Sequence, residues 1–300
     1  MTASTPLPTW KIWLLAARPR TLPAAAAPVI VGSAVAYWEN ALRFWPALAT
    51  LLAALLLQIG ANLANDVFDY RRGADTSERL GPLRVTQAGL LRPGQVLAGM
   101  WITFGLAALL GIYLFSLAGW PVIIIGLLAI AAAIAYTGGP FPLGYYGLGD
   151  LAVFIFFGFA AVCGTVYIQA GRLTSLAWWS ALPMGFLITA ILVVNNLRDI
   201  ETDRKAGKRT LAVRFGPGGA RWEYAACLLG AYLVPLFLVA SRLAPAWILL
   251  ALLSIPLAIS LTRLVWRTTG RPLNRALGET GQLTLLYSLL YSLGLLLGKI

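Results

Sequence analysis

"FWPALATLLAALLLQIGANLANDVFDYRRGAD", Phe44 to Asp75, starts as an apolar run without a single charge and ends in three aspartates and two arginines. About twenty apolar residues carry a helix across a bilayer core, so the first part reads as a membrane span and the second as its polar end. The composition extends that reading to the whole chain. With 59% apolar residues, 11% charged residues and a mean hydropathy of +0.79, there is too little polar surface for a water-soluble globule. Nine such runs are predicted, at 22–38, 44–64, 95–118, 120–137, 150–170, 177–196, 221–241, 244–264 and 281–298. The expected fold is an all-α integral membrane protein, a single domain over residues 1–300 with nine transmembrane helices around a central cavity.

"MTASTPLPTWK" has neither the charged, apolar, small-residue order of a cleaved signal nor an Arg- and Ser-rich amphipathic pattern, so the first span is expected to be retained. Nine spans put successive loops on alternate sides. Of the 23 Lys and Arg, all but Arg43, Arg172, Arg242 and Lys299 then fall on the side of the N-terminus. The positive-inside rule makes that side cytoplasmic, with the C-terminus across the cell (inner) membrane. The same asymmetry accounts for most of the net charge of +12, and no nucleic-acid module accompanies it. Cys163 and Cys227 lie in apolar spans and read as small buried hydrophobes. The chain has no histidine, which excludes a His-ligated metal and a His general base.

Acidic residues number only 11, yet Asp66, Asp69, Asp75 and Glu78 share a cytoplasmic segment at 65–94, and Asp199, Glu201 and Asp203 share another at 197–219. The two segments resemble each other: "NLANDVFDYRRGADT" and "NNLRDIETDRKAGKRT" both run from Asn through spaced aspartates to basic residues, a Gly and a Thr. Their helices are four spans apart, which reads as a weak internal repeat: two four-helix halves plus a ninth helix, with the two loops facing each other across one cavity. A third cytoplasmic segment, "YTGGPFPLGYYGLGD" from Tyr136 to Asp150, carries no Lys or Arg and reads as a shaped wall.

On a helix Asn62, Asp66 and Asp69 fall at i, i+4 and i+7, and Asn196, Asp199 and Asp203 at i, i+3 and i+7, so each set shares one face. Several carboxylates at one mouth repel unless cations join them, and all-oxygen ligands suit Mg²⁺. Arg71, Arg72, Arg79, Arg84, Arg198, Lys205, Lys208 and Arg209 surround the acids, as phosphate binding requires. Acids for metal and bases for phosphate imply a diphosphate, and no GxxxxGK[ST] loop makes it a nucleotide site. The apolar helices beside it imply that the other end of the substrate is a lipid. Asp150 and Glu223 lack such pairing and read as surface or capping residues, and Arg263, Arg267, Arg271 and Arg275 as topology signals.

"NDVFDYRRGAD" followed by "NNLRDIETDRKAGKRTLAVRFG" resembles the two aspartate-rich motifs of the UbiA superfamily of intramembrane prenyltransferases, over nearly the whole chain. Within it, "ERLGPLRVTQAGL", "YTGGPFPLGYYGLGDLAVFIFFG" and "NNLRDIETDRKAGKRTL" look like the menaquinone branch, the 1,4-dihydroxy-2-naphthoate polyprenyltransferases. The first motif departs from the general pattern, with Gly73 where a third aspartate is usual and the next acid at Asp75, a form similar to that branch. The resemblance implies two Mg²⁺ ions held by Asp66 and Asp69 and by Asp199 and Asp203, with Asn65 and Asn62 in support. It implies that Arg20, Arg71, Arg79, Arg198 and Lys205 hold the diphosphate and that Tyr136 shields an allyl cation. The implied reaction joins a polyprenyl diphosphate to 1,4-dihydroxy-2-naphthoate, releasing CO₂ and pyrophosphate and giving demethylmenaquinol. The alternatives are another acceptor such as 4-hydroxybenzoate, or a secondary transporter, which also shows repeats and intramembrane carboxylates.

Overall fold

The computed structural model describes residues 7–74 and 79–299, and these contain helices and no strand. Asp75 and Glu78 lie outside the described residues. A short helix α1 (Thr9–Ala17) joins α2 (Leu22–Trp38) through a left-handed Arg18 and a single 3₁₀ turn. Then come α3 (Phe44–Arg71), α4 (Pro93–Ala118), α5 (Trp120–Ala135), α6 (Gly149–Ala170), α7 (Ser175–Arg198) and a short α8 (Ile200–Lys205). The last three are α9 (Leu211–Ala240), α10 (Ala246–Arg267) and α11 (Leu273–Leu297). Eight segments are long and apolar enough to cross a membrane, the first being Thr9–Trp38, while α5 is apolar but only 16 residues long.

Local chemistry sets the boundaries. Pro93 opens α4, where its missing N–H costs nothing, and the Arg92 backbone N–H donates to the Gln95 carboxamide at 2.9 Å. The Thr174 and Thr210 hydroxyls cap α7 and α9 by accepting from the Ala177 and Val213 N–H groups. Gly119, at φ 75, makes the tight reversal from α4 to α5. The middle of α6, Phe154–Cys163, is wound as a π-helix. Gly158 on α6 faces Gly185 on α7 there, and a Cβ on Gly158 would stand 3.0 Å from the Ala181 carbonyl oxygen.

Two separate apolar cores result. The larger gathers α2, α6, α7, α9, α10 and α11, and the smaller joins α1, α3 and α4 to the segment around Val85 and Leu91. Tyr224, Tyr287 and Tyr291 are fully buried in the larger core, each spending its hydroxyl on a bond to Thr280, the Ala231 carbonyl and Ser180. Buried hydroxyls must find partners in an apolar medium, and these tie α11 to α9 and α7. Between the two cores lies a cavity of about 580 Å³. A third small cluster of Ala49, Leu114 and Ile168 closes the end of it remote from the aspartates.

Candidate active site

The first motif belongs to a helix rather than to the loop expected at 65–94, because α3 continues to Arg71. Asn62, Asp66 and Asp69 are all buried on one face, as their spacing requires. The second motif differs from a single helical face. Asp199, at φ −101 and ψ 12, is a bend in the chain between α7 and α8, so Asn196 belongs to the last turn of α7, Asp203 to the short α8 and Asp199 to the break between them.

Each carboxylate has its own partners. Asp66 accepts the backbone N–H groups of Val85 and Thr86, both at 3.1 Å, and Arg18 Nη2 stands 3.9 Å away. Asp69 accepts from Arg84 Nη2 at 2.8 Å and from the Tyr145 hydroxyl at 3.0 Å. Lys208 Nζ lies 3.7 Å from Asp69 and 3.3 Å from Asp203, so one ammonium links the two motifs. Asp199 pairs with Arg198, whose Nε donates at 2.8 Å, and Arg198 also donates to Asn195 and Asn274, both at 2.8 Å. Burial pushes the Asp203 carboxyl up to about 6 despite the pull of Lys208. Burial, followed by the Asp69 charge, raises the Tyr145 hydroxyl above the ordinary phenol range, so it serves as a donor.

The cavity wall includes Asn65, Asp69, Asp199, Asp203, Tyr136 and Asn196. Arg20, Arg79 and Arg198 also line it, as do Arg84 and Lys208. Asn65 accepts from the Thr137 hydroxyl at 3.1 Å. Asp66 and Asn62 are not in the wall but directly behind it, Asn62 donating to Ala17 O and Thr21 Oγ1 at 2.9 Å and so fixing the bend between α1 and α2. Arg71 and Lys205 are exposed and outside the cavity. Tyr136 is gripped between Gly144 and Gly149, where a Cβ would meet its ring or hydroxyl at 3.0 and 2.9 Å. Asp150 is buried rather than at the surface, in the first turn of α6. Cys163 and Cys227 are both buried, as expected of small apolar side chains.

Among the described residues, no three Asp, Glu, Cys or His are grouped closely enough to bind a metal by themselves. The donor set nevertheless suits a hard cation: Asp69, Asp199 and Asp203 bring carboxylate oxygens to one cavity wall, Asn65 carries a carboxamide oxygen there, and a positive charge, Lys208, already stands between Asp69 and Asp203. The acidic end is thus a mixed field of carboxylates, guanidinium groups and one ammonium. Away from it the wall turns to Ala, Val, Leu, Ile and Phe.

Membrane helices enclosing one cavity, charged at one end and apolar along the rest, define an intramembrane protein built for an amphipathic molecule. Residues 25–297 match the UbiA prenyltransferase family, and the chain belongs to that family. The 1,4-dihydroxy-2-naphthoate octaprenyltransferase of Mycobacterium tuberculosis is 41% identical over 289 residues, spanning 96% of this chain and 98% of that protein. The protein of the same name from Escherichia coli is 42% identical over 295 residues, spanning 96% of each chain. Among solved structures, the UbiA homolog of Aeropyrum pernix shares the fold at a TM-score of 0.71 and 16% identity, over 93% of this chain and 98% of that one. The Archaeoglobus fulgidus homolog, solved bound to DMAPP and Mg²⁺, does so at 0.64 and 15% identity, over 93% and 99%.

Proposed function

We propose that this chain transfers a polyprenyl group from a polyprenyl diphosphate to 1,4-dihydroxy-2-naphthoate, with loss of CO₂ and pyrophosphate, giving demethylmenaquinol for menaquinone biosynthesis. The observation that carries the reading is full-length identity above 40% to octaprenyltransferases acting on that acceptor. The cavity agrees with it, since both acidic motifs meet at one end of an apolar space.

In this reading the diphosphate lies at the acidic end, held by Arg20, Arg79 and Arg198 from the wall, with Arg84 and Lys208 added. Arg71 and Lys205 act only from the rim. Asp69, Asp199, Asp203 and Asn65 would hold Mg²⁺, two ions in all, with Asp66 joining through the lone pairs its two backbone bonds leave over and Asn62 setting the helix behind it. When bound, Mg²⁺ supplies charge that stabilises the leaving pyrophosphate. The allylic C–O bond breaks with its electron pair going to the diphosphate oxygen, and the guanidinium groups stabilise that developing charge. Tyr136 presents its ring to the allylic cation, and the apolar wall beyond it disfavours water there. The naphthoate carbon bearing the carboxylate attacks, and the electron pair of the C–CO₂⁻ bond then restores the aromatic ring as CO₂ departs. No proton need be removed, so a site without histidine suffices.

The same reading takes all nine apolar helices as spans, arranged as two four-helix halves plus a ninth in one domain over residues 1–300. It places the motif segments and N-terminus on the cytoplasmic side of the cell membrane and the C-terminus opposite. Arg43 and Lys299 support this: both are held at the other end, Arg43 by Gln169 and Ile168 and Lys299 by Tyr37.

The test offers purified protein one prenyl diphosphate with several aromatic acids. Prenylation of 1,4-dihydroxy-2-naphthoate with matching CO₂ release, abolished by excess chelator, is the expected result. Prenylation of 4-hydroxybenzoate alone would overturn the acceptor, and full turnover in chelator would overturn the metal.

A further inference from the structure

A second cavity, of about 390 Å³, lies outside the acidic end of the first, with Arg72, Pro140, Pro142, Tyr145, Tyr146 and Arg209 in its wall. Its volume falls in the range of small-molecule pockets, roughly 300–1,000 Å³. Among the described residues, Tyr145 is the one that belongs to the walls of both cavities. Its hydroxyl donates to Asp69 at 3.0 Å and its backbone carbonyl accepts from the Arg209 N–H at 2.7 Å, so the ring stands as a partition between the two spaces. Charge braces the partition. Arg72 and Lys208 stand 5.2 and 5.0 Å from the centre of the Tyr145 ring, and Arg72 also donates to the Gly139 carbonyl. Beside it Phe141 stacks on Tyr146 at 4.0 Å between ring centres, and the Tyr146 carbonyl accepts from Arg214 at 2.8 Å.

The two cavities differ in chemistry. The first gathers carboxylates at its acidic end, whereas the second has guanidinium groups and phenol rings in its wall and no Asp or Glu. The Arg209 guanidinium makes no hydrogen bond or ion pair among the described residues. That set fits an aromatic carboxylate, because a guanidinium grips a carboxylate through paired N–H donors and an aromatic acid stacks on phenol rings. Charge also decides the route. A carboxylate approaching Asp69, Asp199 and Asp203 directly is repelled, so an anionic acceptor needs its charge met before it reaches them. We propose that this outer recess is a docking site for the carboxylate of the aromatic acceptor, with Tyr145 as the partition it passes on the way to the prenyl donor. This rests on the reading of the chain as an aromatic polyprenyltransferase. The prenyl chain then lies along the apolar wall, while the acid arrives from water past Arg209 and Arg72. Pyrophosphate, the other anion of the reaction, would suit the same guanidinium groups on leaving, and the test separates the two.

Arg209→Gln and Arg72→Gln each remove one guanidinium from the recess, and either serves should the other fail to fold. Arg204→Gln removes the same charge from an exposed ion pair with Glu201, outside both cavities. The first measurement is binding without turnover: purified protein with no prenyl donor is titrated by fluorescence with 1-hydroxy-2-naphthoate and with 1-naphthol, which lacks the carboxylate. Half-saturation by the acid is expected to rise about three- to tenfold in the recess variants and to stay at the wild-type value in Arg204→Gln, with 1-naphthol binding alike in every protein. The second is turnover, where KM for 1,4-dihydroxy-2-naphthoate is expected to rise by a similar factor and KM for octaprenyl diphosphate to stay the same. Unchanged binding of the acid by folded recess variants overturns the site. Weakened product inhibition by pyrophosphate with an unchanged acceptor KM overturns it too and gives the recess to the leaving group. Wild-type protein that binds the acid through Arg209 yet prenylates no naphthoate overturns the polyprenyl-transfer reading instead.

Discussion

Lys208 carries the electrostatics of the site, because it is the cation between Asp69 and Asp203 and it also stands 5.0 Å over the Tyr145 ring. Removing it frees two buried carboxylates for an external cation while taking a positive charge from the end of the cavity where the diphosphate is proposed to lie. Lys208→Met is therefore expected to lower the half-saturating Mg²⁺ concentration about three- to tenfold and to raise KM for the prenyl diphosphate. An activity titration with Mg²⁺ checks this, and an unchanged Mg²⁺ requirement would show that Lys208 does not stand where the metal binds. The isolation of Asp66, Asp69, Asp199 and Asp203 in an acid-poor apolar chain made them legible. Their partners were less so, since Arg84 and Lys208 reach Asp69 only through the way two distant segments fold over α3. Arg71 and Lys205 were drawn in by nearness along the chain, yet each follows an aspartate by two residues. Two residues are about 200° around a helix, which turns both side chains away from the cavity.

Asp66 is the clasp by which the 79–91 segment is held on α3. Its two oxygens accept the Val85 and Thr86 N–H groups, charge-assisted bonds inside a buried setting. Asp66→Asn sets an amide N–H against one of those donors and removes the charge, so the segment is expected to loosen by about 2–3 kcal/mol. Limited proteolysis should then cut within 79–91 at protease levels that leave the wild type intact, with the membrane helices unaffected. Equal resistance would mean that the clasp contributes nothing. Helix packing makes a second prediction. Gly294 lies so close to α10 that a Cβ would fall 2.5 Å from the Ile248 Cα, a backbone atom that cannot swing aside, whereas a Cβ on Gly278 meets nothing within 4 Å. Gly294→Ala is expected to lower the melting temperature in detergent by several degrees, about 1–3 kcal/mol of overpacking, and Gly278→Ala to hold it or raise it slightly. The positions of the helices could be read from apolar run length, but the bend at Asp199 and the π-wound middle of α6 could not. Both depend on how neighbouring helices pack, which periodicity within one segment does not encode.

At the scale of the whole molecule the topology turns on α5, the one apolar helix among the described residues that is shorter than a usual span. Its 16 residues span about 24 Å, less than the ~30 Å apolar thickness of a bilayer. Yet its two ends are fixed at opposite ends of the cavity. Trp120 packs on Phe115 beside the Gly119 reversal, near the closed floor, while the segment that follows α5 delivers Tyr145 to Asp69. A helix pinned at both places runs the depth of the cavity, and the bilayer can thin locally to meet it. Cysteine labelling decides the matter, starting from a chain whose buried Cys163 and Cys227 are replaced by alanine. Trp120→Cys and Arg172→Cys are expected to react with an impermeant maleimide in intact cells, whereas Phe141→Cys and Arg267→Cys react only after permeabilisation. Trp120 and Phe141 are 69% and 53% exposed, so failure to react reports sidedness rather than burial. Labelling of both from the same side would take α5 out of the count, leave eight spans, and bring the two termini to one side of the membrane. That outcome would also break the repeat of two four-helix halves. The acidic motifs would then no longer share a side across an even number of spans, and the cavity they enclose could not be built as described.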